Sequence, residues 1–144
     1  MLQTEIMRTK LQTPKHFIKP TILIVDDQEM VRTMVADLLG EMNYNVLTAH
    51  DGISAISLLK EMRRNNKNNI DLVILDMILP NIDGNETYRR IKEIDPDIKV
   101  ILSTGYDISN KVNELLSAGA VGFIQKPYHI DKLIGMVRQH IKSN

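Results

Sequence analysis

Asp71-Leu-Val-Ile-Leu-Asp76-Met-Ile-Leu-Pro80 is the stretch whose reading decides the fold. Leu72 to Leu75 form a short unbroken apolar run, the pattern of a strand buried on both faces in a parallel sheet. Asp76 follows where such a strand emerges, and Pro80 ends the segment. In open α/β sheets the carboxyl ends of the strands are where ligands bind. A carboxylate held against a buried strand is costly unless something compensates it. Asp76 therefore calls for partners from elsewhere in the chain.

The same strand-then-polar pattern recurs on either side. Ile22 to Val25 runs into Asp26-Asp27, Asn45 to Ala49 reads as a second strand, Lys99 to Ser103 as a fourth and Val121 to Ile124 as a fifth. Between them, apolar residues recur at helical spacing. Met30, Val31, Met34, Val35, Leu38 and Leu39 mark a first helix, and Ile53, Ile56, Leu59 and Met62 a second, which Asp51 can cap. Tyr88, Ile91 and Ile94 mark a third helix closed by Pro96. Ile108, Val112, Leu115 and Leu116 mark a fourth that stops at Gly119, and Ile130, Leu133, Ile134, Val137 and Ile141 a fifth. Arg63 to Asn69 is a polar connector and Asn81 to Gly84 a turn. Five strand–helix pairs in succession predict an α/β fold, a parallel sheet with helices on both faces.

The 144 residues allow one domain with a full core. A zero formal net charge gives no electrostatic reason to expect nucleic acid or a membrane surface as partner. The absence of cysteine excludes disulfides, thiol catalysis and cysteine-bound metal. No apolar run approaches membrane-spanning length, and the first residues carry no signal-peptide core, so a cytoplasmic protein is expected. Residues 1–20, in which Arg8, Lys10, Lys15 and Lys19 outnumber Glu5, are expected to be a flexible arm or linker. Residues 21–142 form the domain.

In a parallel sheet the polar strand ends meet at one edge. Asp26, Asp27 and Asp76 would repel one another there. A hard divalent cation relieves the repulsion, and oxygen ligands with open water positions suit Mg²⁺. Lys126 adds a positive charge, Thr104 a hydroxyl, and Gly105 is expected to let the backbone approach closely. These groups make a phosphoryl site in which Asp76 is the nucleophile and forms an aspartyl phosphate. Taken singly, Asp26 or Asp27 would read as a helix cap, Thr104 as a turn residue and Lys126 as a surface lysine. The constellation carries the reading.

Four segments in this order resemble the receiver domain of two-component response regulators: Ile-Leu-Ile-Val-Asp26-Asp27, Leu72 to Gly84, Ile-Leu-Ser-Thr104-Gly and Gly-Phe123-Ile-Gln-Lys126-Pro127. The wording around Thr104 and Lys126 is similar to receivers attached to hybrid histidine kinases, as well as to stand-alone regulators. The resemblance implies a flavodoxin-like (βα)5 doubly wound sheet in the order 2-1-3-4-5. It implies that Asp76 is the phosphoacceptor and that Asp27 holds Mg²⁺ directly and Asp26 through water, with the backbone carbonyl of Ile78 as a further ligand. It also implies that Thr104 and Lys126 contact the phosphoryl oxygens and that Phe123 is an aromatic switch. The Lys126–Pro127 bond is expected to be cis. Ile78 and Tyr106, at two positions of which one is polar in many relatives, are expected to shield the site from water and prolong phosphorylation.

The implied function is a phospho-accepting module of a phosphorelay, not an enzyme in the usual sense, though it assists its own phosphorylation and slow dephosphorylation. Its partner is a sensor histidine kinase or a histidine phosphotransfer protein. Output is expected by protein contact through the fourth helix, fifth strand and fifth helix, about residues 106–141, with the protein a monomer or a phosphorylation-promoted dimer. Two rivals are a Mg²⁺-dependent phosphatase of the haloacid dehalogenase type and an interaction module that is never phosphorylated. The phosphatases carry Asp-x-Asp after the first strand, whereas here the nucleophile follows the third and Asp76-Met-Ile lacks the second aspartate.

Overall fold

The computed structural model describes residues 19–65, 69–105 and 109–141. Five strands and five helices alternate among them: β1 (Thr21–Val25), α1 (Glu29–Glu41), β2 (Asn45–Ala49), α2 (Gly52–Arg64), β3 (Leu72–Asp76), α3 (Gly84–Ile94), β4 (Lys99–Thr104), α4 (Ser109–Ser117), β5 (Gly122–Gln125) and α5 (Ile130–His140). The strands form one parallel sheet in the order β2-β1-β3-β4-β5. The expected arm falls on residues that lie, apart from Lys19 and Pro20, outside the described ones, as does Tyr106.

The opening segment behaves as its composition demands. All of β3 is buried, from Leu72 to Asp76. It is the central strand, with β1 on one side and β4 on the other. Alternation along the strands sends side chains into two separate cores. Leu23, Val25, Val73, Leu75, Val100 and Leu102 pack with α2, α3 and α4. Ile22, Ile24, Leu72, Ile74, Ile101 and Ile124 pack with α1 and α5.

Of the residues assigned to apolar helix faces, Met34 is 47% exposed partway along α1, and three more are exposed at helix starts: Met30 at 86%, Ile53 at 49% and Ile130 at 52%. Each of these three is the first or second residue of its helix. In a parallel α/β layer the helix N-termini project past the carboxyl ends of the strands, where no sheet is left to cover them. Helical period alone does not report where the sheet stops.

Local chemistry sets the loops at this same edge. Asp51 caps α2, its Oδ1 accepting from Ser54 N at 2.8 Å, and Asp83 caps α3 through Glu86 N at 2.8 Å. Gly84 is required by close approach: a Cβ there would lie 2.4 Å from Met77 Cα. That contact presses the start of α3 against the loop leaving β3, and Gly84 N donates to Met77 O at 3.0 Å. Gly105, by contrast, has ordinary room, since a Cβ would sit 3.7 Å from Lys126 Cβ. The expected need for glycine at that position is not met.

Candidate functional site: an acidic cluster bridged by a lysine

β1 and β3 are neighbours and end level, so Asp26 and Asp76 emerge side by side on the α1/α5 face. Asp26 is 1% exposed and Asp76 5%. Asp27, the next residue in the loop after β1, is exposed. Carboxylate oxygens of all three lie within 4.8 Å of one another. Each buried carboxylate is tied down on one side by its own loop. Gln28 N donates to Asp26 Oδ1 at 2.8 Å, and Ile78 N donates to Asp76 Oδ1 at 3.0 Å.

The remaining oxygens face the lysine. Lys126 Nζ donates to Asp76 Oδ2 at 2.9 Å and also to Asp26 Oδ2, so one ammonium bridges both buried carboxylates. Lys126 arrives from beyond β5, its side chain only 14% exposed. Its backbone N donates to Thr104 O at 2.9 Å, and the Lys126–Pro127 bond is cis, as expected.

The electrostatics follow from burial. Loss of hydration raises the Asp76 pKa above the usual aspartate value. The Ile78 amide and the Lys126 ammonium pull it down, neighbouring Asp26 pushes it up, and burial prevails. Burial pulls Lys126 the other way, but its hydrogen bonds to Asp26 and Asp76 outweigh that, so its pKa lies above the ordinary lysine value. Lys126 is therefore charged at neutral pH.

The cluster opens into a cleft of about 680 Å³. Asp27, Asp76 and Lys126 line it with charged groups, and Val31, Met34, Ile78, Pro127 and Tyr128 supply its apolar surface. Ile78, half exposed, stands at its rim. Hard carboxylate oxygens, two of them buried and one at the mouth, fit a Mg²⁺ ion. Each oxygen keeps a lone pair beyond its present hydrogen bond.

Thr104 and Phe123 take a different place. Thr104 is fully buried at the end of β4, and alternation sets it on the face of Leu102, opposite to Asp76. Phe123 pairs in register with Leu102 and packs, half-buried, on the same core. The structure thus gathers Asp26, Asp27, Asp76 and Lys126 into one cluster, while Thr104 is buried at the end of β4 and Phe123 packs on the opposite core.

Two contacts were not anticipated. Arg32 Nη1 donates to Asp26 O at 2.7 Å, bracing the turn between β1 and α1. Ser103 Oγ lies 2.5 Å from the Tyr128 hydroxyl, and burial raises the Tyr128 pKa, keeping the phenol protonated. The one hint in the sequence is a serine at an otherwise apolar strand position.

Comparisons with known proteins agree with this arrangement. The family model described as "Response regulator receiver domain" matches residues 22–138. The chain is 34% identical to sporulation initiation phosphotransferase F of Bacillus subtilis over 125 residues, 85% of this chain and 96% of that protein. It is also 34% identical to sensor histidine kinase RcsC of Escherichia coli, over 76% of this chain but 11% of that kinase. Among solved structures, the CheX–CheY–BeF3–Mg²⁺ complex from Borrelia burgdorferi matches with a TM-score of 0.77 at 30% identity, covering 85% of this chain and 89% of that one. Among the described residues no helix is long and apolar enough to cross a membrane. The strand order, the acidic strand ends and these matches together make the chain a member of the response regulator receiver domain family, the phospho-accepting modules of two-component phosphorelays.

Proposed function

We propose that Asp76 is the phosphoacceptor and that a phosphohistidine on a partner protein is its donor. A carboxylate oxygen of Asp76 attacks phosphorus, the P–O bond forms, the P–N bond breaks, and the electron pair returns to the histidine nitrogen. No general base is needed, because the attacking group is already ionised. The observation that carries this reading is the single ammonium of Lys126 shared by Asp26 and Asp76 at the floor of an open cleft. Such a cation is poised to neutralise the equatorial charge of a transferring phosphoryl group.

Asp26, Asp27 and Asp76, with the carbonyl of Ile78, would hold Mg²⁺. When bound, the ion supplies further charge neutralisation on the phosphoryl oxygens. Thr104 contacts the new phosphoryl group from the β4 side, and Phe123 follows it as the switch. Ile78 and Tyr106 limit the approach of water and lengthen the phosphorylated lifetime.

The donor is a histidine kinase or a phosphotransfer protein. Met34 on α1 and Ile78 after β3, both about half exposed, give the cleft an apolar edge suited to a protein surface more than to a small solute. Output runs by protein contact through α4, β5 and α5, from a cytoplasmic monomer or a dimer favoured by phosphorylation. The domain, residues 21–142, is an acceptor and not a turnover enzyme.

Intact-protein mass spectrometry after incubation with acetyl phosphate and Mg²⁺ tests this. One added, acid-labile phosphoryl group is expected on the wild type and none on Asp76→Asn. Continuous release of phosphate far beyond one equivalent would instead identify a phosphatase, and an unchanged mass an inert interaction module.

A further inference from the structure

The Ser103–Tyr128 pair lies outside the roles assigned so far. Ser103 is fully buried and pairs in register with Asp76 across β3 and β4. It therefore leaves the sheet on the acceptor's own face, one strand away. Ile101 precedes it on the same face of β4 and Ile124 pairs with it on β5, both buried in the core beneath α1 and α5. A hydroxyl in such a layer is costly unless it is paired. Its partner is the Tyr128 phenol at 2.5 Å, and either oxygen can donate.

Tyr128 stands two residues after Lys126. The segment between β5 and α5 is thus fastened to β4 twice, by Lys126 N to Thr104 O and by the Tyr128 hydroxyl to Ser103 Oγ. The two anchor points are consecutive residues on β4, one taking the lysine's own backbone N–H and the other the side chain two residues on. A lysine side chain has a long flexible stem, so where its ammonium sits depends on how firmly its backbone is held.

We propose that Tyr128 is a positioning residue for phosphoryl acceptance. Through Ser103 its hydroxyl fixes the backbone beneath Lys126 and so aims the ammonium at Asp26 and Asp76. This rests on Asp76 being the acceptor. A phenylalanine would fill nearly the same volume but could not make the second fastening. Small misplacements of a charge-stabilising group cost rate steeply, up to a hundredfold for about 1 Å.

The test compares wild type, Tyr128→Phe, Ser103→Ala and the double variant as full chains. Three quantities are read: the initial rate of phosphorylation by acetyl phosphate with Mg²⁺, the affinity for Mg²⁺ alone, and the NMR signal of the Lys126 ammonium. Each single variant is expected to be phosphorylated about tenfold more slowly. Each should lose the exchange-protected ammonium signal while Mg²⁺ affinity stays unchanged. The double variant should be no slower than either single one, since both remove the same bond. A wild-type rate in Tyr128→Phe, an unaltered ammonium signal, or multiplying losses in the double variant would each overturn the positioning role. A wild type that takes up no phosphoryl group at all would overturn the acceptor reading and this inference with it.

Discussion

Replacing Lys126 with methionine keeps most of the side-chain volume and removes its charge. Asp26 and Asp76, 1% and 5% exposed, then face each other with no cation between them. In the intact protein the ammonium is 2.9 Å from Asp76 Oδ2. At an effective dielectric constant of about 20 that contact alone corresponds to about 6 kcal/mol of attraction, before the cost of drying both groups is subtracted. Removing one partner of a buried pair typically costs about 3–5 kcal/mol. An independent limit comes from protonation, the escape open to a stranded carboxylate. Neutralising an ordinary aspartic acid at pH 7 costs about 4 kcal/mol. The two figures agree, so Lys126→Met should destabilise the metal-free domain by about 4 kcal/mol at pH 7.

The protonation limit also predicts a pH dependence. A stranded carboxylate has a raised folded-state pKa, so its folded form binds a proton more readily than its unfolded form. Stability of the variant must then rise relative to wild type as pH falls, and the penalty should shrink to about 1.5 kcal/mol at pH 5. Mg²⁺ should act in the same direction. At a hundredfold excess over Kd, binding restores about 2.7 kcal/mol. Urea unfolding of both proteins at pH 5 and pH 7, with and without Mg²⁺, measures all three effects. A penalty below about 1 kcal/mol at pH 7, or one indifferent to pH and Mg²⁺, would refute the view that this lysine compensates the cluster.

Asp27 is the exposed member of the cluster, so Asp27→Ala should weaken Mg²⁺ binding by at least about tenfold in a titration while leaving metal-free stability equal or higher. Asp51→Ala should cost about 1–2 kcal/mol in urea unfolding with little effect on phosphorylation, because it removes the cap of α2. The Asp51 pKa is lowered, chiefly by the Ser54 amide, so this contribution is present above the unfolded-state pKa and is lost as pH falls through the lowered one. Met34→Glu, at the half-exposed rim, should slow transfer from a phosphohistidine protein by about tenfold yet leave acetyl phosphate kinetics unchanged; equal slowing of both would remove the rim from donor docking.

The residues that the sequence reading located correctly are those whose position follows from strand direction. An apolar run ending in a carboxylate places Asp76 at a sheet edge, and parallel neighbours then bring Asp26 and Lys126 to the same edge. What was not legible depends on contacts across the sheet. Ser103 and Tyr128 are 25 residues apart and meet only through the register of β4 with β5. The contrast between Gly84, pressed against Met77, and Gly105, with ordinary space, depends on how close two loops pass. Met30, Ile53 and Ile130 keep the period of buried residues, yet they lie beyond the last covered turn. Periodicity describes one element at a time, and these features belong to pairs of elements.

The division of the site between the two faces of the sheet bears on how a phosphoryl group could be sensed. Asp26, Asp76 and Ser103 belong by alternation to the face covered by α1 and α5, whereas Thr104 and Phe123 belong to the face covered by α2, α3 and α4. A change confined to one face would reach one set of helices. β5 is one of the two edge strands, and it carries Phe123 toward one core and Ile124 toward the other. Lys126 and Tyr128 follow directly from it, and Lys126 is also bonded through its backbone to Thr104. In the proposed mechanism, a phosphoryl group that draws on both Lys126 and Thr104 would therefore pull on one short strand from both sides. That strand has its outer edge unpaired among the described residues, and α4 and α5 flank it. An output surface made of α4, β5 and α5 is then where the two faces of the sheet meet, and it requires no signal to cross the buried centre at β3.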